Sequence, residues 1–258
     1  MLDVKDLHIA YPGQAAEAVG GVSFALGKGI FGGLVGESGS GKTTTVMALL
    51  GLLPEGSRTT GQILFHGTDL LSFEPDTIRR PSESWNALRW KKIAMVPQGA
   101  QNSFTPVKTI GSHIEEVLRV HLGIHGEVAH VRVAELLEGA ELESDIARRY
   151  PHELSGGQKQ RAAIALALAC DPELLLADEP TTALDVITQA EIMKLLQKLR
   201  AERHLTILFV THDLPLAASA CDWLYVMKDG LLVEQGEPRQ LLTSPEHPYT
   251  RRLIDAIL

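Results

Sequence analysis

A glycine-rich octapeptide near the start of the chain has the residue types and spacing of a phosphate-binding loop. Gly36-Glu-Ser-Gly-Ser-Gly-Lys42-Thr43 matches the pattern G-x-x-x-x-G-K-[ST] in full. Glycines let successive backbone N–H groups point at one anion, and the N-terminus of a following helix adds partial positive charge. Lys42 can then reach the β- and γ-phosphates of a nucleotide, and the Thr43 hydroxyl can bind Mg²⁺.

The position of this loop supports the same interpretation. It follows a short apolar segment, Gly33–Gly36, which predicts a strand, and it precedes a helical pattern over Thr43–Leu53. A glycine-rich turn that binds nothing would explain the glycines but not Lys-Thr at the start of the helix. We therefore predict a nucleotide site that uses these residues: Gly36, Glu37, Ser38, Gly39, Ser40, Gly41, Lys42, Thr43 and Thr44.

Two consecutive carboxylates stand at the end of an apolar segment: Asp178 is the last residue of Leu174–Asp178, and Glu179 follows it. A parallel strand with this pattern places Asp178 at the edge of the sheet where ligands bind, and there the carboxylate can hold Mg²⁺ through water. Glu179 can orient or deprotonate an attacking water. The pattern is weak alone, because many strands end in acidic residues, but it gains weight from the phosphate loop.

The elements that must position these groups alternate between strand and helix patterns, which is typical of a parallel sheet covered by helices. A helix is predicted around Ile187–Leu199, where apolar residues recur at helical spacing. The other predicted strands are Leu2–Ala10, Gln62–Phe65, Ile93–Val96, Thr206–Val210, Trp223–Met227 and Leu231–Glu234.

The stretch from Ile110 to Arg149 predicts helices broken around Gly123 and Gly126, inserted between two strands. Residues 74–90, with two prolines and several charges, predict a surface loop or an irregular helix. We expect one domain over 1–258, with a core and β subdomain at about 1–100 and 171–235. A helical subdomain is expected at 101–170 and a short C-terminal segment at 236–258.

The segment Leu154-Ser-Gly-Gly-Gln158 allows two interpretations. Ser155 and Gln158 form an S-x-x-Q capping box for a helix that runs to Cys170. A capped, glycine-containing helix N-terminus is also an anion site, and it could face a phosphate bound by another subunit. Both interpretations can hold together.

This segment, followed by Lys-Gln-Arg, resembles the signature of ABC-type ATPases, and other residues fit the family in order. Gln98, after the strand Ile93–Val96, is similar to the glutamine that contacts Mg²⁺ and the attacking water. Asp185 lies in a Thr-Ala-Leu-Asp segment that resembles the D-loop. His212 resembles the switch histidine at the γ-phosphate, and Tyr11 the aromatic residue that stacks on adenine.

The resemblance implies an α/β fold: a P-loop, RecA-like parallel sheet core with an N-terminal antiparallel β subdomain and an inserted helical subdomain. It also implies two such domains dimerised head to tail around two ATP molecules. Glu179, His212 and Gln98 would be catalytic, and Thr43, Gln98 and Asp178 would bind Mg²⁺. The second subunit would contribute a phosphate-facing segment: Ser155, Gly156, Gly157 and Gln158, with Asp185 beside it.

Composition limits the partners. The chain of 258 residues carries 24 Lys+Arg and 32 Asp+Glu, a formal net charge of −8, which argues against sequence-blind nucleic-acid binding. The N-terminus has no pattern of a secretory signal. The longest apolar run, Ala162–Cys170, is about half of the roughly 18 residues that a membrane span requires. The resemblance to ABC-type ATPases implies that such a protein acts peripherally, at the cytoplasmic face of a membrane that its partners span.

Three stretches are similar to the peptide/nickel importer branch: the loop with Leu49–Pro54, the segment Val96–Pro106 and the tail Ser244–Thr250 with its His-Pro-Tyr-Thr. A turn followed by an amphipathic helix over Tyr249–Leu258 also explains the tail. The likeness is closer to the first of two ATPases in such systems. It implies a second ATPase subunit, two integral-membrane permease subunits and an extracytoplasmic solute-binding protein.

At some positions the sequence differs from the pattern of that branch. Phe104-Thr105 stands where relatives commonly show Leu-Asn. We expect no iron–sulfur cluster, because Cys170 and Cys221 are too few to hold one. His121, His125 and His130 raise the question of nickel, but a solvated helical surface explains them as well.

Functions outside import stay open at this point. ABC ATPases also serve in phosphonate-degrading complexes, iron–sulfur assembly, DNA repair and translation. The absence of heptads and of a second ATPase domain disfavours the last two classes. The phosphonate-complex role is the hardest to separate from import.

Overall fold

The computed structural model describes residues 1–74, 82–100 and 103–255. The chain forms two compact units. The first combines Met1–Ala87 with Thr206–Leu258, and the second is Leu88–Leu205. The subdomain boundaries expected from the sequence stay a prediction.

An antiparallel sheet in the first unit has the order β2-β1-β4-β5. A register shift interrupts β1, where Asp6 has a φ of 47°. The shift moves the buried set from Leu2 and Val4 to Leu7 and Ile9, which explains why the alternation in the sequence is loose. The strands are β1 (Leu2–Ala10), β2 (Val19–Leu26), β4 (Arg58–Phe65) and β5 (Thr68–Asp69).

Parallel strands in the same unit lead into the phosphate loop. The fully buried β3 (Phe31–Val35) pairs in parallel with β8 (Thr206–Thr211) and with β9 (Trp223–Lys228). A further strand, β10 (Leu231–Gly236), pairs antiparallel with β9. Because β3 and β8 run in register, the residues that follow Val35 and Thr211 leave the sheet at the same edge.

Helix α1 (Lys42–Leu49) begins within the phosphate loop. It is shorter than the predicted Thr43–Leu53, because Gly51 adopts a φ of 61° and ends the helical path. Three further helices follow β8 in the chain: α7 (Leu214–Ala220), α8 (Pro238–Thr243) and α9 (Pro248–Asp255). Helix α2 (Glu83–Leu88) lies where the chain passes from the first unit to the second.

The second unit carries the inserted helices. Strands β6 (Ile93–Val96) and β7 (Leu174–Asp178) pair in parallel. Thr109 caps the first helix of the insertion, and Gly123, with a φ of 69°, ends it. The helices are α3 (Ile110–Leu122), α4 (Glu127–Gly139), α5 (Gly156–Ala167) and α6 (Val186–Arg203).

The fold class predicted from the sequence is confirmed, with a parallel core, an N-terminal antiparallel sheet and inserted helices. Strands β6 and β7 have the predicted bounds, whereas β2 and β5 had no sequence prediction. Residues 75–81 of the predicted loop or irregular helix over 74–90 lie outside the described residues, as does the end of the predicted C-terminal helix, 256–258; within 74–90 the structure has helix α2. Among the described residues, no helix is long and apolar enough to cross a membrane.

Candidate nucleotide-binding and catalytic site

The phosphate loop has a backbone that only glycine supports at two points. Gly41 has a φ of 99°, and a Cβ there would lie 2.6 Å from the carbonyl oxygen of Ala18. A Cβ at Gly36 would lie 2.2 Å from the carbonyl oxygen of Met227. Both contacts are too short for any side chain, so the curl of the loop depends on these glycines.

The Lys42 ammonium holds this curl from inside. Its Nζ donates hydrogen bonds to the carbonyl oxygens of Gly36 and Glu37, both at 2.7 Å, and contacts Ser40 Oγ at 3.3 Å. Only 4% of Lys42 is exposed. A buried ammonium is costly without hydrogen-bond acceptors, and the loop carbonyls supply them. The same cation is placed to transfer these bonds to an incoming anion.

Two tyrosines attach the loop and the start of α1 to other parts of the first unit. The hydroxyl of Tyr11 hydrogen-bonds Thr44 Oγ1 at 3.0 Å, which places the predicted adenine-stacking residue beside α1. The backbone N–H of Glu37 donates to the hydroxyl of Tyr249 at 3.0 Å. Sequence reasoning noted Tyr249 within the His-Pro-Tyr-Thr tail of the importer branch and at the start of a C-terminal helix, with no contact to the loop. Its partner is a backbone group, which leaves no trace in the sequence.

His212 follows β8 beside the loop. The backbone N–H of Gly36 donates to the carbonyl oxygen of Thr211 at 3.3 Å, so His212 is next in the chain to a residue that the loop contacts. Asp213 then caps α7 by accepting a hydrogen bond from the N–H of Leu216 at 2.8 Å. This cap fixes the turn that carries the exposed His212 side chain.

In the second unit, the two predicted catalytic residues lie in direct contact. Gln98 Nε2 donates to Glu179 Oε2 at 3.1 Å, and Thr182 Oγ1 donates to the same oxygen at 2.9 Å. Asp178, at the end of β7, is only 1% exposed. Sequence analysis places Thr182 only in the D-loop segment, and no pattern of residue types predicts its bond to Glu179.

The capping box predicted at the signature is present. The N–H of Gln158 donates to Ser155 Oγ at 3.2 Å, and the N–H of Ser155 donates to Gln158 Oε1 at 3.0 Å. A Cβ at Gly157 would lie 2.8 Å from Thr188 Cγ2. Gly157 is therefore required for close packing of α5 on the start of α6, in addition to any contact with an anion.

Asp185 caps α6. Its carboxylate accepts hydrogen bonds from the N–H of Thr188 at 3.0 Å and from the Thr188 hydroxyl at 2.7 Å, and these two bonds lower the pKa of the carboxyl. Gln189 Nε2 donates to the carbonyl oxygens of Thr181 and Leu184, each at 3.2 Å. The turn between Glu179 and α6 is therefore held by its own hydrogen bonds.

Arg161, just after the signature, links α5 to its neighbours. Its guanidinium pairs with Glu141 at 2.6 Å and with Glu191 on α6 at 3.2 Å. Lys198 reaches the other oxygen of Glu141 at 3.3 Å. The hydrogen bond from Arg161, joined by that from Lys198, lowers the pKa of Glu141. This ion-pair network fixes the orientation of α5.

A sequence profile described as an ABC transporter matches residues 19–182. The chain belongs to the ABC transporter family. It is 40% identical over 261 residues to the oligopeptide transport ATP-binding protein OppD of Haemophilus influenzae, covering 100% of this chain and 79% of that protein. It is also 40% identical over 264 residues to the probable peptide ABC transporter ATP-binding protein y4tR of Sinorhizobium fredii, covering 100% and 76%.

Solved structures support the same family and fold. The ATP-binding cassette MJ0796, a dimer in a post-hydrolysis state bound to ADP and Pi, is 32% identical with a TM-score of 0.79. The match covers 93% of this chain and 99% of that one. This member of the ABC family is therefore an ATP-binding, ATP-hydrolysing protein.

The three histidines considered for nickel have separate surroundings in this ABC ATPase. His121 stacks on Trp90 with ring centroids 5.6 Å apart. His125 Nδ1 lies 3.0 Å from the carbonyl oxygen of Gly123, and His130 Nδ1 lies 2.9 Å from Glu115 Oε1. Within the described ranges, no group of three or more His, Cys, Asp or Glu side chains could hold a metal ion.

Proposed function

We propose that this chain is the ATP-hydrolysing subunit that energises an ABC importer of peptides. The observation that carries the proposal is the Glu179 carboxylate, which Gln98 and Thr182 hold at 3.1 and 2.9 Å at the end of a strand. The full-length similarity to peptide-transport subunits supports the coupling of this activity to import. Nickel or a related small solute is the alternative cargo.

The loop residues fit the polyphosphate of ATP. Gly39 and Gly41 have positive φ values of 82° and 99°, a conformation that turns consecutive N–H groups toward one point. Lys42 leaves the Gly36 and Glu37 carbonyls and pairs with the β- and γ-phosphates. Tyr11, already beside Thr44, stacks on the adenine.

The oxygen donors predicted for Mg²⁺ match its chemistry, because this ion prefers hydroxyl, carboxylate, amide and water oxygens. Thr43, Gln98 and Asp178 would hold it, the last through a water molecule. When bound, Mg²⁺ neutralises charge that develops on the phosphates.

Glu179 accepts a proton from the attacking water or orients that water, and Gln98 and Thr182 fix the carboxylate for this task. His212 donates to the γ-phosphate as charge develops there. Because phosphoryl transfer depends mainly on positioning and charge stabilisation, the precise hold on Glu179 matters more than its intrinsic basicity.

The nucleotide site is completed by a second ATPase subunit in head-to-tail order. The N-terminus of α5 in the partner, with the segment 155–158, presents N–H groups and its positive dipole end to the γ-phosphate. Asp185 of the D-loop segment caps the start of α6, next to the segment 155–158. The partner is a similar ATPase, which makes a heterodimer, or a second copy of this chain.

Two integral-membrane permease subunits hold this dimer at the cytoplasmic face of the membrane, and an extracytoplasmic solute-binding protein delivers the cargo to them. Purification of the tagged chain from native membranes tests this assembly. We expect two permease subunits and a second ATPase to accompany it, with ATP hydrolysis stimulated by a peptide-loaded binding protein. A soluble complex without membrane proteins would favour the phosphonate-complex role and contradict import.

A further inference from the structure

The peptide group between Gly36 and Glu37 is held at both ends. Its carbonyl oxygen accepts a hydrogen bond from Lys42 Nζ at 2.7 Å, and its N–H donates to the Tyr249 hydroxyl at 3.0 Å. A rotation of this peptide group would break both bonds at once. The first bend of the phosphate loop is therefore fixed by one residue of the loop and one residue of the C-terminal tail.

Tyr249 is itself firmly placed. Its side chain is 1% exposed, and Lys228 Nζ lies 4.6 Å from the ring centroid, within cation–π range. Burial raises the pKa of the Tyr249 hydroxyl, which keeps the group neutral over the working pH range. An aromatic ring in this enclosure has little freedom, so its hydroxyl is a fixed hydrogen-bond acceptor.

The tail is anchored to β10 by two hydrogen bonds to the Glu234 carboxylate. We call this carboxylate, together with the N–H groups of Glu246 and His247 that donate to it, the tail clamp. Glu246 N–H donates to Oε1 at 2.8 Å, and His247 N–H donates to Oε2 at 3.1 Å. The clamp lies directly before Tyr249 in the chain. Strand β10 is hydrogen-bonded to β9, whose Met227 carbonyl lies against Gly36. The tail thus reaches the loop over a rigid path.

We propose that Tyr249 is a positioning residue for nucleotide binding, because its hydroxyl keeps the Gly36–Glu37 peptide group oriented after Lys42 has moved to the phosphates. The inference rests on the proposed role of the loop as the ATP site. In the free protein, Lys42 and Tyr249 share the hold on this peptide group. In the nucleotide complex only Tyr249 retains it, so loss of the hydroxyl weakens the complex more than the free protein.

The test compares two tyrosine variants in the full chain. Tyr249→Phe keeps the ring and removes the hydroxyl. The matched control is Tyr225→Phe: Tyr225 is also 1% exposed and donates its hydroxyl hydrogen bond to a backbone carbonyl, that of Ala25 on β2. Binding of Mg·ADP is measured by calorimetry, and KM and kcat for ATP are measured in parallel.

We expect Tyr249→Phe to raise the Kd for Mg·ADP and the KM for ATP by about three- to tenfold, the range for one hydrogen bond, with kcat within about twofold of the wild type. Tyr225→Phe should leave all three constants near the wild-type values. Unchanged binding in Tyr249→Phe, or an equal loss in Tyr225→Phe, would overturn the inference.

Two further outcomes are separated by the same measurements. If the wild type itself binds no Mg·ADP, the proposed function fails and the inference falls with it. If Tyr249→Phe does not fold, Glu234→Gln is measured instead: it keeps the Tyr249 side chain itself but weakens the tail clamp that holds Tyr249 against the loop. It should raise the Kd in the same direction by about twofold or more, and an unchanged Kd would reject the inference.

Discussion

Gln98 and Glu179 are joined by a hydrogen bond of 3.1 Å, in which the amide of Gln98 donates to the carboxylate oxygen Oε2. Gln98 comes shortly after β6 and Glu179 directly after β7, and these two strands pair in parallel. The bond fixes the direction of a carboxylate that follows an apolar, buried strand. We therefore expect substitution of Glu179 to lower kcat more than substitution of the residues around it.

Glu179→Gln should remove ATP turnover while ATP binding remains. The amide keeps the shape of the side chain but cannot accept a proton, so kcat should fall by about 10²- to 10⁴-fold, the range for a lost general base. Steady-state ATPase assays and nucleotide titrations measure the two effects. Glu173→Gln is the control, because Glu173 precedes the same strand and its carboxylate forms an ion pair with Lys92. Wild-type turnover in Glu179→Gln would contradict the assignment.

Thr182→Val should lower kcat by about fivefold with little change in nucleotide affinity. The substitution keeps the shape of the side chain and removes the hydroxyl that donates to Glu179 Oε2, a bond worth about 1 kcal/mol. Thr182→Ser restores the hydroxyl and should restore most of the rate. If Thr182→Ser is as slow as Thr182→Val, the hydroxyl has no part in holding Glu179.

Ser155→Asp should separate the two roles of the signature serine. Asp caps helices well, so the free energy of unfolding should stay near the wild-type value, but its charge should repel a phosphate and abolish ATP turnover. Ser155→Ala should lose about 1 kcal/mol of stability. Thr109→Ala removes the cap of α3 and serves as the control, with a similar loss in stability and normal turnover. Full activity in Ser155→Asp would exclude an anion at this helix end.

Gly157→Ala should destabilise the protein by about 1–3 kcal/mol, the usual cost of overpacking, because the new Cβ would lie 2.8 Å from Thr188 Cγ2. The double variant Gly157→Ala/Thr188→Ser removes that methyl group and keeps the hydroxyl that bonds Asp185. It should recover most of the lost stability in chemical denaturation. A double variant as unstable as Gly157→Ala would show that the contact with Thr188 is not the cause.

Glu234→Gln should reduce stability in a pH-dependent way. Burial opposes ionisation of Glu234, but the hydrogen bonds from the N–H groups of Glu246 and His247 favour the charged carboxylate, and the pKa of the carboxyl is lowered. A lowered pKa in the folded state stabilises the protein above the unfolded-state pKa, about 4.3, and that contribution is lost as pH falls through the folded-state value.

The difference in unfolding free energy between the wild type and Glu234→Gln should therefore be constant, at about 1 kcal/mol, from pH 6 to 8 and shrink below about pH 4.5. Denaturant unfolding at several pH values measures it. The exposed Glu246→Gln, which leaves its own N–H in the tail clamp, should match the wild type throughout. A difference that grows toward acid would contradict the role of the carboxylate.

Sequence reasoning predicted most of the side chains that define this site and few of the contacts between them. The loop from Gly36 to Thr43 and the strand ending in Asp178 carry their own patterns of residue type and spacing. The contact of Tyr249 with a backbone N–H has no such pattern. The strand β2, with two glycines in Val19–Leu26, does not look like a strand by propensity, and it forms because β1 offers it a pairing edge.

Gly157 illustrates the remaining limit. Its place in the signature predicts a glycine that exposes N–H groups to an anion. The structure adds a second reason for glycine, the close approach of the Thr188 methyl group. Such a reason depends on which helix packs against which, and no local pattern encodes it.

The Arg161 network has a consequence for ionic strength. Electrostatic screening acts over about 8 Å at physiological salt and weakens exposed ion pairs first. The Arg161 side chain is 14% exposed, whereas that of Lys198, on the same Glu141, is 44% exposed. Added salt should dissociate Lys198 from Glu141 while Arg161 still holds α5 to Glu141 and Glu191. If moderate salt inhibits ATP turnover, the cause would then be weaker binding of the nucleotide or of partner proteins, because α5 keeps its position.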